Sequence, residues 1–144
     1  MSEAFVILLV EDDADDVFFL KEAFARAGLG AAVHVARDGE EACSYLLGEG
    51  AYCDRAAHPC PSLILLDLKL PRKSGLEFLE WRRGQPRFSR VPTVVLTSSL
   101  AAADLASAYE LGANSYLLKP VDAAAQLEMV KLIGAYWGGL NKLP

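Results

Sequence analysis

Short apolar runs separated by segments of helical periodicity confine this chain to few folds. The runs are Phe5 to Val10, Val33-His34-Val35-Ala36, Leu63 to Leu66, Val94-Val95-Leu96 after Pro92, and Tyr116-Leu117-Leu118. A strand with one wet face would alternate apolar and polar residues. These runs do not, so they suit a parallel sheet covered on both faces. Between them, Val17, Leu20, Ala23, Phe24 and Ala27 recur at helical spacing, with Gly28 as a stop. Glu41 to Leu47 reads as a second helix, and Leu76, Phe78, Leu79 and Trp81 lie in a third. Ala101 to Leu111 is a fourth, closed by Gly112, and Leu127, Val130, Ile133 and Trp137 mark a fifth. Strands alternating with helices imply right-handed crossovers and an open α/β sheet.

Five strands and five helices fill the 144 residues. The expectation is a single domain over 1–144, with a core of about 5–137, a C-terminal extension 138–144 and no output domain. Glu49 to Ser62 is a long connection with Gly50, Pro59 and Pro61, either a functional surface or a tolerated insertion. A net charge of -5 disfavours nucleic acid, so no DNA partner is expected. Arg82, Arg83, Arg87 and Arg90 are the one basic cluster, read as a solvated helix end and loop. No apolar run approaches the ~20 residues that span a bilayer. Met1-Ser2-Glu3-Ala4 lacks the basic segment of a secretory signal, which points to the cytoplasm and to no membrane partner. Cys43, Cys53 and Cys60 form no disulfide framework. Cys53, His58 and Cys60 give only three ligands without the paired spacing of a zinc site, so free thiols are expected.

Open parallel sheets bind ligands outside the carboxyl ends of their strands. Glu11, Asp12 and Asp13 follow the first strand, Asp67 the third, Thr97, Ser98 and Ser99 the fourth, and Lys119-Pro120 the fifth. Adjacent carboxylates repel unless a cation neutralises them, and oxygen-only ligands favour a hard ion such as Mg²⁺. Asp67 can attack phosphorus and hold the group as an acyl phosphate. A metal and Lys119 would offset its charge, and Thr97 can donate to a phosphoryl oxygen. Taken singly, each residue has a structural use; Asp13, for example, reads as a helix N-cap.

These residues resemble the receiver domain of two-component response regulators. The motifs are Ile7-Leu8-Leu9-Val10-Glu11-Asp12-Asp13, Leu65-Leu66-Asp67-Leu68-Lys69-Leu70-Pro71 with Gly75, Val94-Val95-Leu96-Thr97-Ser98, and Gly112 through Pro120. The resemblance implies a flavodoxin-like, doubly wound five-stranded parallel sheet of order 2-1-3-4-5 with five helices. It implies phosphorylation of Asp67 by a sensor histidine kinase. Asp12 would ligate Mg²⁺ (or Mn²⁺) directly, Glu11 mainly through water, and Lys69 through its backbone carbonyl. Thr97 and Lys119 would contact the phosphoryl group, Thr97 and Tyr116 would form a switch pair, and Lys119-Pro120 would be cis. The protein would be a phospho-acceptor that assists its own Mg²⁺-dependent phosphorylation and dephosphorylation, and not an enzyme of metabolism.

The long loop before Asp67 and the C-terminal segment Tyr136 to Pro144 further resemble single-domain regulators paired with bacterial phytochromes. That implies a bacteriophytochrome kinase and a homodimer formed through the fourth helix, fifth strand, fifth helix and C-terminal segment. Two other readings compete. A phosphorylation-independent interaction module could use the same fold. An aspartyl-phosphate phosphatase would need an acid two residues after its nucleophile, where this chain has Lys69.

Overall fold

The structure is a computed structural model and describes residues 5–143. The readings that concern Met1 to Ala4 and Pro144 lie outside the described residues. Those residues form strands β1 (Val6–Val10), β2 (Ala32–Ala36), β3 (Leu63–Leu66), β4 (Thr93–Thr97) and β5 (Ser115–Leu118). Helices α1 (Ala14–Ala27), α2 (Gly39–Leu47), α3 (Gly75–Arg83), α4 (Ala102–Glu110) and α5 (Ala123–Ala135) connect and cover them. All strand pairs are parallel, and the order is β2-β1-β3-β4-β5, as expected.

The sheet's two faces make two apolar layers. Leu8, Val10, Ile64, Leu66 and Val95 point to one side, against Leu46, Phe78 and Leu79. Ile7, Leu9, Leu63, Leu65, Val94 and Leu96 point to the other, against Leu20, Phe24, Val130 and Ile133. Each large apolar side chain so buried contributes roughly 1.5–3 kcal/mol. The uninterrupted runs at β1, β3 and β4 are fully buried, as two-sided coverage requires. The runs at β2 and β5 are only half covered because these are the edge strands, and Leu118 is exposed.

Helix ends follow local chemistry. Asp13 caps α1 by accepting from the backbone N–H groups of Asp15 and Asp16, and Gly28 ends the helix at φ 66°. Ser74 and Glu77 form a capping box at the start of α3. Asp38 caps α2, which therefore begins at Gly39, two residues before the periodicity suggests. After α5 the chain makes a π-turn over Tyr136–Leu140. Trp137 packs on the α1–α5 side of the core, whereas Tyr136 and Leu140 stay exposed.

One surface expectation needs revision. Arg82 is not solvated: it is 3% exposed, and its guanidinium donates to the Val91 carbonyl at 2.7 and 3.3 Å. Arg83 reaches the Glu110 carbonyl at the end of α4, at 3.0 Å. A planar cation that can make several hydrogen bonds at once can share this carbonyl with the Thr93 hydroxyl, which also donates to it at 3.3 Å. The connection 49–62 is packed down rather than loose. Tyr45 donates to the Pro59 carbonyl at 2.9 Å, and Tyr52 donates to Glu41. Arg55 donates to the carbonyls of Tyr45 and Leu46 at the end of α2, where helix carbonyls lack their full set of intrahelical partners.

Candidate functional site

The parallel register brings the strand ends to one rim. Leu9 lies beside Leu65 and Val10 beside Leu66, so Glu11 and Asp67 leave the sheet as neighbours. Backbone bonds extend both strands: Glu11 N–H donates to Ala36 and Asp67 N–H to Val10. Lys119 N–H donates to the Thr97 carbonyl at 2.8 Å, which carries the β4–β5 ladder one residue past β5. These bonds fix the origin of each side chain before any side-chain contact forms.

Gly75 seats the loop after Asp67. A side chain there would collide with the Asp67 carbonyl and lie 2.6 Å from the Leu68 Cα. The Gly75 N–H donates to the Leu68 carbonyl at 3.0 Å. The spacing from Asp67 through Pro71 to Gly75 thus has a steric cause. Gly39 approaches Lys73 in the same way, donating to its carbonyl at 2.9 Å.

An open cleft of about 570 Å³ lies over this rim, lined by Glu11, Asp12, Asp16, Asp67, Ser98 and Lys119 among others. Glu11 is 2% exposed and Asp67 7%. The Lys119 ammonium donates to Glu11 Oε1 at 3.0 Å, Asp67 Oδ2 at 3.0 Å and Asp16 Oδ2 at 2.8 Å. Burial, then the hydrogen bond with Asp67, pushes the Glu11 carboxyl up to about 9. Burial alone would raise Asp67 too, but bonds from Glu11 and Lys119 outweigh it and hold that carboxyl below its usual value. Lys119 loses some basicity to burial and regains more from its three carboxylates, so it stays protonated. One carboxylate of the buried pair carries charge easily; the other needs a cation.

Carboxylate oxygens of Glu11, Asp12 and Asp67 all lie within 4.8 Å of one another. Three oxygen donors this close fit a small hard dication better than any softer metal. The cysteines form no such group among the described residues: Cys43 is buried, with burial pushing its thiol up to about 11, while Cys53 and Cys60 are free and exposed.

Of the residues expected at the site, Glu11, Asp12, Asp67 and Lys119 meet directly. Thr97 is wholly buried at the end of β4, and its hydroxyl accepts from the Ser99 N–H at 3.3 Å. The Tyr116 hydroxyl donates to the Ser99 carbonyl at 3.2 Å. Thr97 and Tyr116 therefore grip opposite sides of one loop residue. The Lys119-Pro120 bond is trans, contrary to the cis expectation. Trans is the lower-energy isomer even before proline, by about 0.5–1 kcal/mol. Asp16 was missed. It sits in an acidic run with Asp13 and Asp15 that reads as a complement to the α1 dipole, and no signal in the sequence singles it out.

Comparison with known proteins identifies the family and matches the fold. The family profile for the "Response regulator receiver domain" matches residues 7–131. The chain is 38% identical over 143 residues to the "Probable methanogenesis regulatory protein FilR2" of Methanothrix harundinacea, covering 99% of this chain and 89% of that protein. It is 38% identical over 139 residues to "Response regulator Rcp1" of Synechocystis, covering 96% and 92%. The crystal structure of the phosphorylated cyanobacterial phytochrome response regulator RcpA superimposes with a TM-score of 0.90, at 37% identity over 99% of both chains. The Mn²⁺-bound form of response regulator Rcp1 superimposes at 0.85, with 37% identity over 96% of this chain and 98% of that one.

Proposed function

This chain belongs to the response regulator receiver family of two-component signalling, and we propose that it works there as a phosphoryl-accepting switch whose acceptor is Asp67. The observation that carries the reading is the buried Asp67 carboxylate, kept ionised between Lys119 and Glu11 at the floor of an open acidic cleft. The donor is the phosphohistidine of a sensor kinase. An Asp67 oxygen forms a bond to phosphorus, the phosphorus–nitrogen bond breaks, and the imidazole leaves with a proton. Lys119 offsets charge on the transferring group, and the Thr97 hydroxyl donates to one of its oxygens. Glu11, Asp12, Asp67 and the Lys69 carbonyl would hold Mg²⁺ or Mn²⁺, which when bound supplies positive charge against the phosphoryl oxygens.

Thr97 moving toward the new oxygens releases the Ser99 loop, and Tyr116 follows, changing the α4–β5–α5 surface. Shifting the active state from ~1% to ~99% takes ~5.5 kcal/mol of differential stabilisation. A few charge-assisted bonds at ~1.5–3 kcal/mol each are enough. The similarity to RcpA supports a phytochrome-type kinase as the partner. Near full-length overlap with Rcp1 and RcpA supports action as a single receiver domain, and exposed Leu118, Leu132, Tyr136 and Leu140 support self-association through that surface.

The test is phosphorylation with a small phosphodonor and Mg²⁺. Asp67→Asn is expected to take no label, whereas the native chain takes one phosphoryl group. Normal labelling of the variant would move the acceptor elsewhere.

A further inference from the structure

Lys119 has three N–H donors, and three carboxylates use them all. Glu11 and Asp67 belong to the close-set oxygens that fit a dication, whereas Asp16 lies outside that group. A cation at the cluster competes with Lys119 for Glu11 and Asp67. Phosphorylation weakens the Asp67 contact a second time, because the carboxyl oxygens of an acyl phosphate carry no formal charge and accept poorly. Asp16 alone of the three is claimed by neither event.

Asp16 is well placed to keep its hold. Its backbone is fixed in the first turn of α1, where its N–H donates to Asp13 Oδ1 at 3.0 Å. The Lys119 contact it makes, at 2.8 Å, is the shortest of the three. Its side chain is 40% exposed, and Lys119's 20%, so the pair need not lose all its hydration.

We propose that Asp16 is a positioning residue that holds the Lys119 ammonium at the rim when the cation and the phosphoryl group take its other two partners. This rests on the reading of Asp67 as acceptor. The competing role, a plain negative charge complementing the α1 dipole, predicts the opposite sign. As a bare charge, Asp16 repels an incoming anion, and its removal tightens anion binding. As a positioning residue, it keeps Lys119 aimed, and its removal weakens anion binding.

The experiment compares the full-length native chain with Asp16→Asn and Asp16→Ala, using equal melting temperatures as the check on folding. The first readout needs no phosphoryl group: the nitrogen-15 resonance of the Lys119 ammonium, assigned by its loss in Lys119→Ala, recorded with saturating Mg²⁺. The native chain is expected to show a protected signal, Asp16→Ala to lose it to solvent exchange, and Asp16→Asn to retain it in part through the amide oxygen. The second is binding of beryllofluoride with Mg²⁺. Asp16→Ala is expected to bind about tenfold more weakly, the scale of one charged hydrogen bond, with Asp16→Asn in between. In a Lys119→Ala background, Asp16→Ala should have no further effect. A protected Lys119 signal in Asp16→Ala, or beryllofluoride binding at least as tight as native, overturns the proposal. If the native chain bound no beryllofluoride, the acceptor reading would fall, while the ammonium signal would still decide what Asp16 does.

Discussion

At the scale of single residues, the rim shows how a glycine and a charge divide the work. Gly75 lets the start of α3 press against the carbonyl of Asp67. Gly75→Ala should therefore destabilise the fold by roughly 1–3 kcal/mol, the usual penalty of overpacking, and shift the urea midpoint accordingly. An unchanged midpoint would show that the loop yields freely. That glycine was expected only through the motif of the family resemblance, and its steric reason is visible only in the structure. Glu11, Asp12, Asp67 and Lys119 were legible from the residues themselves: each lies just after an apolar run, and the parallel arrangement sends all such positions to one edge. Asp16 was not legible. Acidic residues in a first helical turn have an ordinary electrostatic use, and nothing in the pattern tells which one turns toward a lysine over a hundred positions away. Arg82 was hidden by the default that charged residues face water; its burial depends on a carbonyl nine positions later.

Among the elements, the connection 49–62 together with α2 and β2 forms a unit that periodicity did not reveal. His34 on β2 lies 5.8 Å from the Tyr45 ring and 6.1 Å from the His58 ring, and Tyr45 also stacks near Tyr52 and His58. Burial, then the nearby His58 and Lys21, lowers the pKa of His34 below 6.5. The folded state thus resists the proton that the unfolded chain accepts. This stabilising contribution is complete above about pH 6.5 and is lost as pH falls through the lowered value. The melting temperature should drop between about pH 7.5 and pH 5.5, and His34→Gln should flatten that drop. An equal slope in both proteins would remove His34 from the account. The loop's packing escaped the sequence because its anchors, Tyr52, Arg55 and His58, are side chains with polar ends in a segment without an apolar run. The edge positions of β2 and β5 were contained in the strand order that the family resemblance implies; their apolar runs alone did not reveal them, because a run shows what a strand can bury, not whether both neighbours are present.

For the whole molecule, the open question is how an event at the acidic rim reaches a partner. Several large apolar side chains after β4 are exposed: Leu100 is 83% exposed, Val121 97% and Leu132 63%. Molar mass in solution, measured with and without beryllofluoride and Mg²⁺, should rise from monomer toward dimer on addition, and Leu118→Glu should prevent the rise. A mass unaffected by the mimic would separate switching from assembly. The two ends of α4 are also differently secured. Its first turn starts at Ala101 with no side-chain cap, beside the Ser99 residue that Thr97 and Tyr116 share. Its last carbonyl is clasped by Arg83 from α3. The start of α4 is held instead through Ser99, whose hydroxyl donates to Asp104 in the helix's first turn and accepts from the Ala101 N–H. If Asp67 accepts a phosphoryl group as proposed, a shift of Ser99 would draw on the start of α4 while Arg83 keeps its end tied to α3.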